Sequence, residues 1–150
     1  MQAGWFLVVA FAPIAVIACS TTQSQLGTAS APASPAKDAS QVVQKQVHAY
    51  NTQDLDAFLA TYADDVAITS ESTGQVVMNG KEAMRKRYGD MFRKFPENRV
   101  QIIERKREGD KVVIDHEIIT GRGPERPDPW DVGWVRYEVE DGLIRRVQLP

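Results

Sequence analysis

The run Ile114-Asp115-His116-Glu117 places a histidine between two carboxylates. In an extended strand neighbouring side chains point to opposite faces. His116 then shares a face with Val112, Ile114 and Ile118, while Asp115 and Glu117 share the other with Val113 and Ile119. A histidine among branched aliphatics is either a satisfied buried imidazole or a proton-transfer group in an apolar pocket, and Asp115 is a carboxylate able to act as a base beside it. The same alternation keeps Asp115 and Glu117 from joining His116 around one ion. With no HExxH and no cysteine cluster either, no metal is expected. Glu71, amid Ser70 to Gly74, is a further candidate base or else an exposed turn carboxylate. Tyr50 could offer a hydroxyl to a ligand, or could be a core tyrosine whose hydroxyl reaches the surface. No G-x-S-x-G elbow and no glycine-rich phosphate loop occurs, so nucleophilic serine chemistry, phosphate binding and cofactor use are not expected.

Periodicity supplies the elements that would position these groups. Asp38 to Gln41 can cap a first helix with a buried stripe of Val43, Val47 and Tyr50. A second helical pattern runs Leu55, Phe58, Leu59, Tyr62 and should stop at Asp64-Asp65. A third helix is expected from the capping-box spacing at Asn79 to Glu82; it would bury Met84, Tyr88, Met91, Phe92 and Phe95, and Pro96 would end it. Strands are predicted at 66–70, 75–78, 99–106, 111–121, 134–139 and 143–149, with hairpin signals at Glu108-Gly109-Asp110 and Glu140-Asp141-Gly142. The order predicts an α+β fold with helices on one face of a curved sheet. The proline-rich connection from Gly121 to Trp130 would be a rim or lid over a cavity, or a stiff surface loop.

Three segments carry a resemblance: Tyr62-Ala63-Asp64-Asp65-Val66, Asn79-Gly80-Lys81-Glu82-Ala83-Met84, and Tyr137-Glu138-Val139-Glu140-Asp141-Gly142-Leu143-Ile144. In this order and spacing the chain resembles the nuclear transport factor 2-like superfamily, and within it the SnoaL-like and ketosteroid isomerase-like proteins. The resemblance implies a cone-shaped curved antiparallel sheet with three helices packed on its concave face, a cystatin-like roll that leaves an apolar cavity. It also implies a cavity lined by Tyr50, Phe92, Val135, Tyr137 and Trp130, with Glu71 near its mouth. Fold alone does not settle function, since the superfamily holds both catalysts and binding modules. Ketosteroid isomerases combine an aspartate base with tyrosine and protonated aspartate donors. Counting from Asp64-Asp65, those three roles fall here on Ser70, Gln46 and Gly133, so that mechanism is not expected. The alternation of Trp134, Arg136 and Glu138 with Val135, Tyr137 and Val139 sets Trp134 on the outer sheet face, where it would suit a homodimer contact.

The apolar run from Trp5 to Ile17 leads to Val16-Ile17-Ala18-Cys19, which holds the single cysteine. This resembles a bacterial lipoprotein signal peptide, with Cys19 the lipidated residue and residues 1–18 removed. Residues 19–37 are rich in Ser, Thr, Gln, Ala and Pro and would form a flexible tether, leaving 38–150 as one domain. A formal net charge of −2 with mixed signs points away from nucleic acid. The expected protein is therefore held in the cell envelope by a lipid anchor outside the cytoplasm, on the periplasmic face of a membrane in a Gram-negative cell. It would bind a small, mostly apolar organic molecule. Two readings stay open: cofactor-free acid–base chemistry of isomerase, cyclase or hydratase type, or a non-catalytic binding or protein-interaction module.

Overall fold

The computed structural model describes residues 38–150. Helix α1 (Ala39–Asn51) is followed by α2 (Leu55–Leu59), strands β1 (Tyr62–Ser70) and β2 (Val76–Asn79), and helix α3 (Gly80–Lys94). Strands β3 (Arg99–Glu108), β4 (Val112–Thr120), β5 (Trp130–Glu140) and β6 (Leu143–Leu149) complete it. Cysteine 19, the proposed signal segment and the tether lie outside the described residues.

The helices begin where the sequence supplies caps. The Asp38 side chain accepts from the Ser40 N–H at 3.1 Å, and the Asp54 side chain accepts from the Ala57 N–H at 2.9 Å. Each such cap contributes about 1 kcal/mol. Helix α3 starts at the expected place, but the Asn79 side chain makes no capping bond, so the capping box is not formed. The second helix is shorter than its spacing predicts. It ends at Leu59, and Tyr62 instead opens β1, which therefore starts earlier than residue 66. Tyr62 is buried as expected but on a strand, its helical spacing from Leu55 being coincidental.

The strands form one sheet of six in the order β2-β1-β6-β5-β4-β3. Strands β3 to β6 are antiparallel neighbours, as predicted, whereas β1 runs parallel to β6. At the β5–β6 turn Asp141 (φ 52°) and Gly142 (φ 76°) both take positive φ, the conformation that makes Asp-Gly a tight hairpin signal. The register slips in every strand pair, including between Glu117 and Ile118 of β4. Such irregularities bend strands and increase twist, which here curves the sheet around the helices.

The concave face carries Val113, Val135, Tyr137, Val139, Ile144 and Val147, all buried beneath the helices. The α1 stripe of Val43, Val47 and Tyr50 packs on them, with Phe58 of α2 and Met84 and Phe92 of α3. Burying each such side chain contributes on the order of 1.5–3 kcal/mol. Tyr50, Phe58, Tyr62, Tyr88 and Phe92 form a continuous aromatic cluster with ring centroids 4.6–6.4 Å apart. Among the described residues no helix is long and apolar enough to cross a membrane.

Candidate functional site

Between the helices, β2 and the concave face lies a cavity of about 860 Å³. Its walls are mostly apolar or aromatic, with Tyr50, Tyr62, Tyr88, Trp130 and Tyr137 among them. Among the described residues one side-chain carboxylate lines it: Glu117 of β4. The β4 alternation buries Val113, Asp115, Glu117 and Ile119 on the concave side, so Glu117 enters the cavity by register. Directly across the ladder stands Gly133, in positive φ at +91°. Glu117 pairs with Gly133 and Ile118 with Asp131, leaving Val132 as an extra residue on β5. That bulge reverses the facing of the strand before it. Trp130 and Val132 both reach the cavity, although Trp134, of the same parity, lies on the convex face against His116.

The Tyr137 hydroxyl donates to Glu117 Oε1 at 2.6 Å. Burial in this apolar wall pushes the Glu117 carboxyl up to about 7; the Tyr137 hydrogen bond and the charge of Arg105 offset part of that, while the charge of Asp115 adds to it. At neutral pH it is poised between acid and base. The same burial drives the Tyr137 hydroxyl well above its ordinary value, so it remains a donor. Tyr50 is raised too, chiefly by burial, although a hydrogen bond from Asn98 Nδ2 at 2.7 Å and the nearby Arg122 pull it back. Gln46 is buried along the cavity, and no hydrogen-bond donor among the described residues reaches its Oε1.

The structure separates the residues singled out from sequence. Tyr50, Tyr137 and Trp130 line the cavity as expected. Phe92 and Val135 are buried in the core behind it rather than on its wall. Asp115 is fully buried but unavailable as a base: Arg105 grips both its oxygens at 2.7 Å through Nε and Nη2. The same guanidinium reaches Gln44 Oε1 at 3.1 Å, tying β3 and β4 to α1. His116 faces away from the cavity, bonded to Asp131 Oδ1 at 2.9 Å and lying 5.1 Å from the Trp134 ring, so it is no proton relay inside the pocket. Its aliphatic neighbours in sequence mark the convex face, which is only partly covered. Glu71 is exposed in the β1–β2 turn, where its backbone N–H bonds Leu149 O at 2.6 Å, and it does not line the cavity. The three assigned proton-transfer groups therefore do not converge. Glu117 and Arg122 are the functional candidates that sequence reasoning passed over. The strand alternation put Glu117 on one face with Asp115 without marking that face as the inward one, and nothing local marks Arg122 as buried.

Trp134 is half-buried beneath Lys106, whose Nζ sits 3.7 Å from the ring centroid. Among the described residues no group of three or more metal-ligating side chains converges.

A curved, unclosed α+β roll around an apolar cavity is the architecture of the nuclear transport factor 2-like and cystatin-like proteins. Residues 43–147 match the family model of the SnoaL-like domain, and the chain belongs to that family. It is similar to an uncharacterized cystatin-fold protein from Novosphingobium aromaticivorans at 27% identity and a TM-score of 0.63, covering 73% of this chain and 95% of that one. A suspected polyketide cyclase from Sinorhizobium meliloti aligns at 20% identity and a TM-score of 0.61, covering 73% and 94%. A hypothetical protein with a ketosteroid isomerase-like fold from Catenulispora acidiphila, solved with trimethylamine, aligns at 18% and 0.58, covering 72% and 82%. The last two show the fold alone. No curated protein matches the chain.

Proposed function

We propose that the domain binds a small, mostly apolar organic molecule in its cavity and moves a proton on it with Glu117, in chemistry of the isomerase, cyclase or hydratase type that needs no cofactor. The observation that carries this reading is the buried Glu117–Tyr137 pair, held at 2.6 Å in an otherwise largely apolar wall, with the carboxyl near 7. A carboxylate so placed takes a proton from carbon beside a carbonyl and returns it elsewhere on the same molecule. The Tyr137 hydroxyl tempers its basicity. Asp115, His116 and Glu71 have no part in this step.

The test is exchange of carbon-bound hydrogen for deuterium, followed by NMR, across a panel of cyclic ketones and β-keto esters incubated with the protein in D2O. Exchange with wild type that disappears in Glu117→Gln supports the catalytic reading. Ligands that bind without exchange refute it and leave a non-catalytic binding module of the cell envelope.

We also propose lipidation at Cys19, placing the domain outside the cytoplasm, on the periplasmic side in a Gram-negative cell. The support is the apolar Trp5–Ile17 run ending in Val16-Ile17-Ala18-Cys19. Incorporation of labelled palmitate that is lost in Cys19→Ala checks it. Pairing of two copies through the convex face around Trp134 completes the proposal; sedimentation that gives a monomer would overturn that part.

A further inference from the structure

Arg122 follows β4 in the loop to β5 and is 9% exposed, yet no carboxylate among the described residues pairs with it. Its Nη1 donates to the Met91 sulfur at 3.0 Å, a weak acceptor, and its guanidinium lies 4.9 Å from the Phe95 ring centroid. Its Nε is buried and has no acceptor at all among the described residues. The nearby carboxylates make their ion pairs with other cations, Asp90 with Arg93 and Glu125 with Lys94, and the charge of Arg122 reaches Glu125 only as a minor influence. A buried guanidinium without a counter-ion is costly to keep unless something supplies the anion.

Arg122 lines the cavity, and so do Arg87 and Arg126, the latter stacked 4.6 Å from the Trp130 ring centroid. Among the described residues the cavity thus carries three arginines against the one side-chain carboxylate of Glu117. The two kinds of group are kept apart. Arg122 acts on the Tyr50 hydroxyl, whereas the charges felt by Glu117 are those of Arg105 and Asp115. Tyr50 stands between the two ends, sensing both Arg122 and Glu117.

We propose that the ligand is an apolar organic anion, a carboxylic acid with a hydrocarbon or aromatic body, whose acidic group is held by Arg122 while its body extends towards Glu117. This rests on the ligand-binding reading of the cavity and adds its substrate class. As part of the cavity wall, the Arg122 guanidinium offers a delocalised cation and N–H donors that a carboxylate accepts. Arg87 and Arg126, both exposed, raise the local concentration of anions at the entrance.

The test compares 8-anilinonaphthalene-1-sulfonate with N-phenyl-1-naphthylamine, which is the same dye without its sulfonate, binding being read from fluorescence of the purified protein. Wild type should bind the anionic dye about tenfold or more tightly, and Arg122→Met should abolish that preference while changing the neutral dye by no more than about twofold. Equal affinity of wild type for both dyes overturns the anion site and leaves the cavity reading intact. Loss of both dyes together in Arg122→Met also overturns it, because the arginine would then only shape the pocket. If neither dye binds wild type, the cavity reading itself fails. Should Arg122→Met not fold, displacement of dye from wild type by naphthalene-2-carboxylate against its methyl ester decides the same question: a stronger acid supports the site and equal potency refutes it.

Discussion

Replacing Glu117 with glutamine should stabilise this protein, and by an amount that depends on pH. The carboxyl is raised from 4.5 to about 7 because the fold buries its charged form in an apolar wall. A group raised on folding leaves full stability below its unfolded value, here below about 4.5, and costs stability as pH rises through the folded value near 7. At about 1.4 kcal/mol per tenfold change in proton affinity, the cost above pH 8 reaches about 3 kcal/mol. Glutamine keeps an Oε1 to accept the Tyr137 hydroxyl and carries no charge, so it removes the cost without breaking the hydrogen bond. Urea unfolding of wild type and Glu117→Gln between pH 4 and pH 9 should give equal free energies near pH 4. The variant should gain through pH 5 to 8 and hold a plateau advantage of about 3 kcal/mol above pH 8. Parallel curves, or a wild type that is the more stable at pH 8, would refute the assignment of Glu117 as a buried carboxyl without an ion-pair partner. If Glu117 transfers the proton as proposed, the same variant should lose any exchange activity.

Three further outcomes follow from the contacts around the site. Tyr137→Phe removes the hydrogen bond that lowers Glu117, so the midpoint of any pH–rate profile should move alkaline, above about 7; an acid shift would refute the geometry. Asp115→Ala leaves Arg105 half-buried without its partner and should cost about 3 kcal/mol or more in urea unfolding; an unchanged midpoint would mean the pair is not formed. Gly121→Ala should cost more than about 2 kcal/mol, because φ is +73° and a Cβ would sit 2.3 Å from Glu97 O. A thermal melt matching wild type would contradict the close approach there.

Much of the fold was legible because its signals are local. Val43, Val47 and Tyr50 define one helix face, Pro96 stops α3, and Asp141-Gly142 specifies a tight turn. Tyr62 misled because its spacing from Leu55 fits a helix while burial alone cannot distinguish a helix face from the start of a strand. The site was less legible. Both faces of β4 carry branched aliphatics, so the pattern alone does not say whether His116 or Glu117 points inward. That is decided by pairing with β5, where Val135 and Tyr137 fix the buried side and Glu117 falls opposite Gly133. Trp130 lies beyond a bulge that no periodicity reveals. Arg122 sits in a proline-rich loop, and its burial arises from Met91 and Phe95, residues of α3 and its C-cap distant in sequence.

The parallel pairing of β1 with β6 joins the earliest strand of the domain to the last one. The antiparallel block β3 to β6 can zip up from neighbouring hairpins, but β1 and β2 have no place in the sheet until β6 arrives to bridge them. Loop closure of that span is an entropic debt met late, which makes the topology a slow one to assemble. The cavity wall that β2 supplies is therefore complete only when the two ends of the described domain are joined.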